Sequence, residues 1–317
     1  MNRHIKAPGK HYRVGISLLE LTEMFPDEES AVKWFETIYW PEGRKCGHCK
    51  SENTKVVPNA KPMPYWCSDC RSYFSVKTGT VLQSSRLPMR KWAFAVYLFV
   101  TSLKGVSSMK LHRDLKVTQK TAWYMLHRLR ESWKNAGLDD CLGPTEADET
   151  YVGGKEGNKH EKDKRHAGRG AVGKTAVAGV KNRSTNKVTA KVVEHTDAET
   201  LQGFVAENAV IGSTIYTDEA TAYRGLADLF DHQTVNHGAG EYVRFEDIHT
   251  NGIESFWSML KRAHKGTFHK MSKKHLQRYV TEFVTRHNVR ESDTEEQMAH
   301  VVAGLVGQRL MYEQLTA

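Results

Sequence analysis

Glu146-Ala147-Asp148-Glu149-Thr150-Tyr151-Val152-Gly153-Gly154 is the stretch on which the fold turns. Threonine, tyrosine and valine closed by a glycine pair predict a strand. Side chains on a strand alternate between faces, so Glu146 and Asp148 point one way and Glu149 the other. Working outward, Thr175 to Lys181 and Lys187 to Glu194 read as two further strands. Thr196 to Ala209 suits a helix with Leu201, Phe204 and Val205 on its apolar face. Ser213 to Thr217 is another strand, ending in Asp218, and His232 to Val235 is a candidate fifth. Helices are expected at Gly252–His264 and Ser272–His287, followed by a helical tail. In the first of these, Ile253, Trp257, Leu260 and His264 form one stripe, and Glu254 projects near the azimuth of Lys261, two turns later.

The sequence ahead of this region has a different texture. Ala31, Trp34, Phe35 and Ile38 fall on one side of a helix expected after Pro26. Cys46-x2-Cys49 and Cys67-x2-Cys70 follow, with seventeen residues between the pairs. Two such knuckles complete a tetrahedral four-sulfur site, with zinc the expected occupant and a structural role, since no ligand position stays open. An iron–sulfur cluster is the lesser alternative. Tyr65, Trp66, Tyr73 and Phe74 are expected to form the core of this zinc ribbon, and His48 to be exposed. Pro88 to Trp133 reads as helices, and Ser107–Leu115 with Thr118–Trp133 fits a helix-turn-helix. The second of that pair puts Ala122, Met125, Leu126, Leu129 and Trp133 on its apolar face. Its other face offers Gln119, Lys120, Trp123, Tyr124, His127, Arg128 and Arg130, groups that can reach phosphates and base edges in a major groove. The plain alternative is a basic, solvated helical hairpin.

The 317 residues suffice for two or three folded units, and 39% hydrophobic with 26% charged residues is a globular composition. The longest apolar run, Trp92 to Leu103, is about half of a bilayer span. No signal-peptide pattern opens the chain, so a cytoplasmic, non-membrane protein is expected, associated with the nucleoid when active. A net charge of +9 favours polyanionic partners, nucleic acid first. The loop Lys155–Lys174, with seven Lys/Arg against three acids, is either a solvated loop or a DNA-contacting arm. The fifth cysteine, Cys141, reads as an ordinary small apolar residue.

Thirty-five residues separate Asp218 from Glu254, and Lys261 stands seven beyond Glu254. With Trp40-Pro41-Glu42-Gly43, the ribbon, Glu146 to Gly154, Tyr216-Thr217-Asp218-Glu219 and Asn251 to Arg262, this spacing makes the chain similar to DDE-type insertion-sequence transposases with an amino-terminal zinc ribbon, the ISXO2-like group. The resemblance covers most of the chain. Three strands, a helix, a strand and an acid-bearing helix also follow the order of a ribonuclease-H-like fold, so the expected class is multidomain α/β (α+β). The expected parts are 1–85 (leading helices and ribbon), 86–140 (helix-turn-helix region), 141–290 (catalytic domain) and 291–317 (tail). The resemblance implies Mg²⁺ or Mn²⁺ held by Asp148, Asp218 and a third residue, for which Glu254 and Asn251 are both candidates. It implies that Lys261, with Arg262 beside it, contacts a phosphate of the transposon end. It also implies phosphodiester hydrolysis at the ends, strand transfer into target DNA, and a homodimer or higher oligomer on that DNA. The competing readings are a non-catalytic DNA-binding regulator with a degenerate nuclease-like domain, and a nuclease that cuts without joining.

Overall fold

The computed structural model describes residues 14–133, 143–154, 160–164, 172–235 and 248–317, together with a two-residue ladder of β1 (Lys6–Ala7) and β2 (His11–Tyr12). Cys141 and residues 155–159 and 165–171 of the basic loop lie outside the described residues. The chain divides into two compact units, one of residues 1–136 with 289–317 and one of residues 137–288. The arrangement is mixed α/β, with a cysteine cluster near the amino terminus. Among the described residues no helix is long and apolar enough to cross a membrane.

In the first unit, α1 (Leu18–Met24) and α2 (Glu28–Tyr39) start at Ser17 and Asp27, whose side chains accept from the third backbone N–H of each helix. A three-stranded antiparallel sheet follows, β3 (Thr54–Val56), β4 (Tyr65–Cys67) and β5 (Ser72–Phe74). Then come α3 (Met89–Thr101), α4 (Ser108–Leu115) and α5 (Gln119–Glu131). Lys116 adopts a left-handed conformation that stops α4, and Thr118 caps α5. Ala122, Met125, Leu126, Leu129 and Trp133 are buried, as their spacing predicts. The tail is part of this core: α9 (Thr294–Ala303) inserts Met298, Val301 and Val302, and Leu305, Leu310 and Leu315 complete the cluster.

The second unit is a five-stranded sheet in the order β10-β9-β6-β7-β8. β6 (Thr145–Val152), β7 (Thr175–Asn182) and β8 (Val188–Val193) form an antiparallel meander. The chain then crosses through α6 (Ala198–Asn208) to β9 (Thr214–Asp218), parallel to β6, and reaches β10 (Asp231–Val235), parallel to β9. Alternation sorts the two faces. Ala147, Ala176, Ala178 and Val180 pack with Leu201, Phe204 and Val205 of α6. Val152, Val177, Val188 and Ala190 pack with α7 (Asn251–Ala263) and α8 (Leu276–Asn288). The strands and helices predicted here occur within a few residues of their expected limits.

Candidate functional site

β6 brings its acids to two different surroundings. Asp148 is on the α7 face, where the Trp257 indole N–H donates to its Oδ2 at 3.0 Å. Glu149 is on the opposite face and accepts from the Tyr223 hydroxyl at 2.9 Å. Glu146, on the Asp148 face, is buried and paired with Arg183 at 2.8 Å. Asp218 ends β9, and its Oδ1 accepts from the Ala220 N–H at 3.0 Å. Glu254 stands in the first turn of α7, accepting from the Thr250 hydroxyl at 2.9 Å.

Asp148, Glu149 and Glu254 line an open cleft of about 530 Å³ whose other lining includes Trp257, Lys261, Arg262 and Lys265. Burial pushes the Asp148 carboxyl up to about 8, with the charges of Glu149, Asp218 and Glu254 adding to the shift. Glu149 is also raised, chiefly by burial. The charge of Asp218 therefore reaches Asp148, although Asp218 is not among the residues lining the cleft. Asn251 is exposed at the first position of α7 and is likewise absent from the lining. Lys261 and Arg262 are exposed on the cleft's cationic side. Lys265, which the sequence reading did not single out, joins them, and its position four residues after Lys261 on the same helical face was the available signal.

The four cysteines form the second site. The Sγ atoms of Cys46, Cys49, Cys67 and Cys70 all lie within 4.8 Å of one another, and could hold a metal ion. Cys46–Cys70 and Cys49–Cys67 are each 3.6 Å apart, close to the ~3.8 Å edge of a tetrahedron with ~2.3 Å metal–sulfur bonds. Lys50 and Arg71, the residues just after each knuckle, both take left-handed conformations. Trp40, Tyr65 and Phe74 pack beside the cluster. Trp66 and Tyr73, expected in the same core, instead pair with each other at 4.6 Å on the other face of the ladder. His48 is exposed.

The second helix of the hairpin requires a correction. Gln119 and Lys120 are exposed as expected, but His127 is 0% and Arg128 8% exposed, and Arg130 is buried too. These side chains do not form the open face their spacing suggested. The tail of the same unit packs on the turn of α5 just before them. The Tyr312 ring meets those of Trp123 and Tyr124, and the Tyr124 hydroxyl donates to the Leu310 carbonyl at 2.6 Å. Arg128 turns inward to donate to the Tyr124 hydroxyl at 2.9 Å and the Gln83 carbonyl at 3.3 Å.

Residues 140–288, the span that holds the acidic cleft, match the ISXO2-like transposase domain family. A protein of Halobacterium salinarum, described as an uncharacterized protein in transposable element ISH50, is 29% identical over 279 residues, covering 84% of this chain and 92% of the relative. The resemblance to DDE-type insertion-sequence transposases holds. The matched transposase-domain span contains Asp148, Asp218, Asn251, Glu254, Lys261 and Arg262, whereas the cysteine cluster lies ahead of it.

Proposed function

We propose that the chain is a DNA transposase that hydrolyses phosphodiester bonds at transposon ends and transfers the freed strands into target DNA. The observation that carries this reading is the cleft that Asp148 and Glu254, with the Asp218 charge near, line together with Lys261, Arg262 and Lys265. Carboxylates are hard oxygen donors that fit Mg²⁺ or Mn²⁺, and a divalent cation relieves the mutual repulsion that adds to the burial-driven rise of Asp148. Asp148, Asp218 and Glu254 would hold two such ions, which when bound activate the attacking oxygen and stabilise the leaving one. Asn251 is the alternative third residue, and its exposed place outside the cleft lining favours Glu254.

The protein's own groups supply orientation and charge. Trp257 fixes one oxygen of Asp148, while Lys261, Arg262 and Lys265 present cations to the phosphates of the strand. In the first reaction water attacks phosphorus and the bridging bond to a 3′ oxygen breaks, leaving a 3′-hydroxyl. That hydroxyl then attacks a target phosphodiester, forming one P–O bond as another breaks. The meander β6-β7-β8 followed by parallel β9 and β10 supports a ribonuclease-H-like reading of the catalytic domain, taken as residues 141–290.

In this reading the four cysteines bind structural zinc within 1–85. The α4–α5 hairpin in 86–140 serves as a helix-turn-helix whose Gln119 and Lys120 remain open to DNA, with 291–317 as the tail. Pairing two ends calls for a homodimer or higher oligomer on DNA, in the cytoplasm and at the nucleoid when active. The test uses the full chain, a plasmid with both ends of a candidate element, and Mg²⁺ or Mn²⁺. Wild type should cut and join, whereas Asp148→Asn and Asp218→Asn should bind the ends without cutting them. End binding without any cutting by wild type would favour the regulator; cutting without joining would favour the nuclease.

A further inference from the structure

Glu146 is 1% exposed, and nothing in the reaction proposed above uses it. It lies two residues before Asp148 on the same face of β6. Its Oε2 accepts from the backbone N–H of Ile253 at 2.8 Å, in the first turn of α7 and one residue before Glu254. Its Oε1 takes the Arg183 Nε at 2.8 Å. Arg183 is held in turn by the Tyr216 ring, 3.9 Å below its guanidinium, and donates to both the carbonyl and Nδ1 of His249.

The strand and helix approach closely here. A Cβ on Gly252 would stand 2.7 Å from Glu146 Oε2 and 2.8 Å from Lys181 Nζ. One helical turn onward, Trp257 makes the second connection, from its indole N–H to Asp148. Glu146 and Asp148 are separated by ~6.7 Å along a strand. Ile253 and Trp257 are separated by ~6 Å along a helix. The two bonds therefore join the elements at matched spacing. A single attachment leaves the helix free to turn about its contact; two such attachments fix its rotation.

We propose that Glu146 is a positioning residue that sets the rotation of α7 over β6, and so where Glu254 stands relative to Asp148. This rests on the reading of Asp148 and Glu254 as metal ligands, and the test separates the two ideas. The full chain is labelled with 5-fluorotryptophan, and the Trp257 line among the seven tryptophans is assigned by its loss in Trp257→Phe. In metal-free protein, Glu146→Gln should move the Trp257 fluorine line and leave the other six in place. Mn²⁺ titrated alone should then half-saturate the variant at about tenfold higher concentration or more.

A Trp257 line at the wild-type position overturns the proposal whatever the metal does. A shifted line with unchanged Mn²⁺ affinity overturns it too, because Glu146 would then only pack. Wild type that binds no Mn²⁺, with the line still shifted by Glu146→Gln, defeats the metal-site reading and leaves the positioning role standing. If Glu146→Gln does not fold, Arg183→Lys takes its place. It keeps the charge while losing the Nε donor, and an unmoved Trp257 line there is equally decisive.

Discussion

Replacing Gly179 by alanine is the sharpest probe of how the cleft is built. Gly179 is the cross-strand partner of Asp148 in the β6–β7 register. A Cβ added to it would lie 2.6 Å from both Cη2 and Cζ2 of Trp257 and 3.3 Å from Ile253 Cδ1. Carbon atoms in favourable contact sit ~3.5 Å apart or more, so the indole must retreat by about 1 Å. It has little room to do so. Trp257 is 3% exposed, packs against Phe256 at 5.1 Å, and donates the bond that holds Asp148. Overpacking of this kind costs about 1–3 kcal/mol, and an indole N–H left unpaired in the interior costs a comparable amount. Lower chain entropy of the unfolded alanine variant returns only about 0.4–1 kcal/mol. The expected net effect is a destabilisation of about 1–5 kcal/mol, faster hydrogen exchange in α7, and at least a several-fold loss of cutting. Gly203→Ala is the control, since its added Cβ in α6 meets nothing within 4 Å. That change should be neutral or stabilising by up to ~1 kcal/mol. Urea unfolding with exchange measured by mass spectrometry reads both. A Gly179→Ala protein as stable as wild type, with unchanged α7 exchange, would refute the packing argument.

Three other outcomes are expected. Asp148, raised to about 8 from 3.8, binds a proton in the folded state that the unfolded chain has released. Its contribution is therefore full below about pH 4 and fades as pH climbs toward 8. Without divalent cations, stability should fall by on the order of 2 kcal/mol between pH 6 and 8 and fall less in Asp148→Asn; equal slopes in thermal unfolding would contradict this. Purified protein should hold one zinc ion per chain, and Cys67→Ser should loosen the amino-terminal module; metal analysis well under half an ion per folded chain would rule it out. Glu254→Gln should slow cutting at least a hundredfold, about 2.7 kcal/mol of barrier, and Asn251→Ala should slow it less; the reverse order in two folded variants would move the third position to Asn251.

Local pattern made the secondary structure and the facing of its side chains legible. Strand alternation separated Asp148 from Glu149, and the structure places Trp257 against one and Tyr223 against the other. The paired knuckles predicted four converging sulfurs, because two short turns suffice to gather them. Helical periodicity picked out the buried stripe of α5 for the same reason: spacing and apolar character are properties of the segment itself. Contacts between distant segments were not legible. Nothing near His127 or Arg128 announces that Leu310 and Tyr312 cover the neighbouring turn of α5, almost two hundred residues further along. Trp257 was readable as an apolar stripe residue; its polar edge acquired a role only when β6 came beneath it. Glu146 looked like one more strand acid until Arg183 and the first turn of α7 closed around it. A sequence determines which groups a segment can offer and on which face. Which of them meet depends on long-range packing, where one missing Cβ, as at Gly179 or Gly252, decides whether two elements approach.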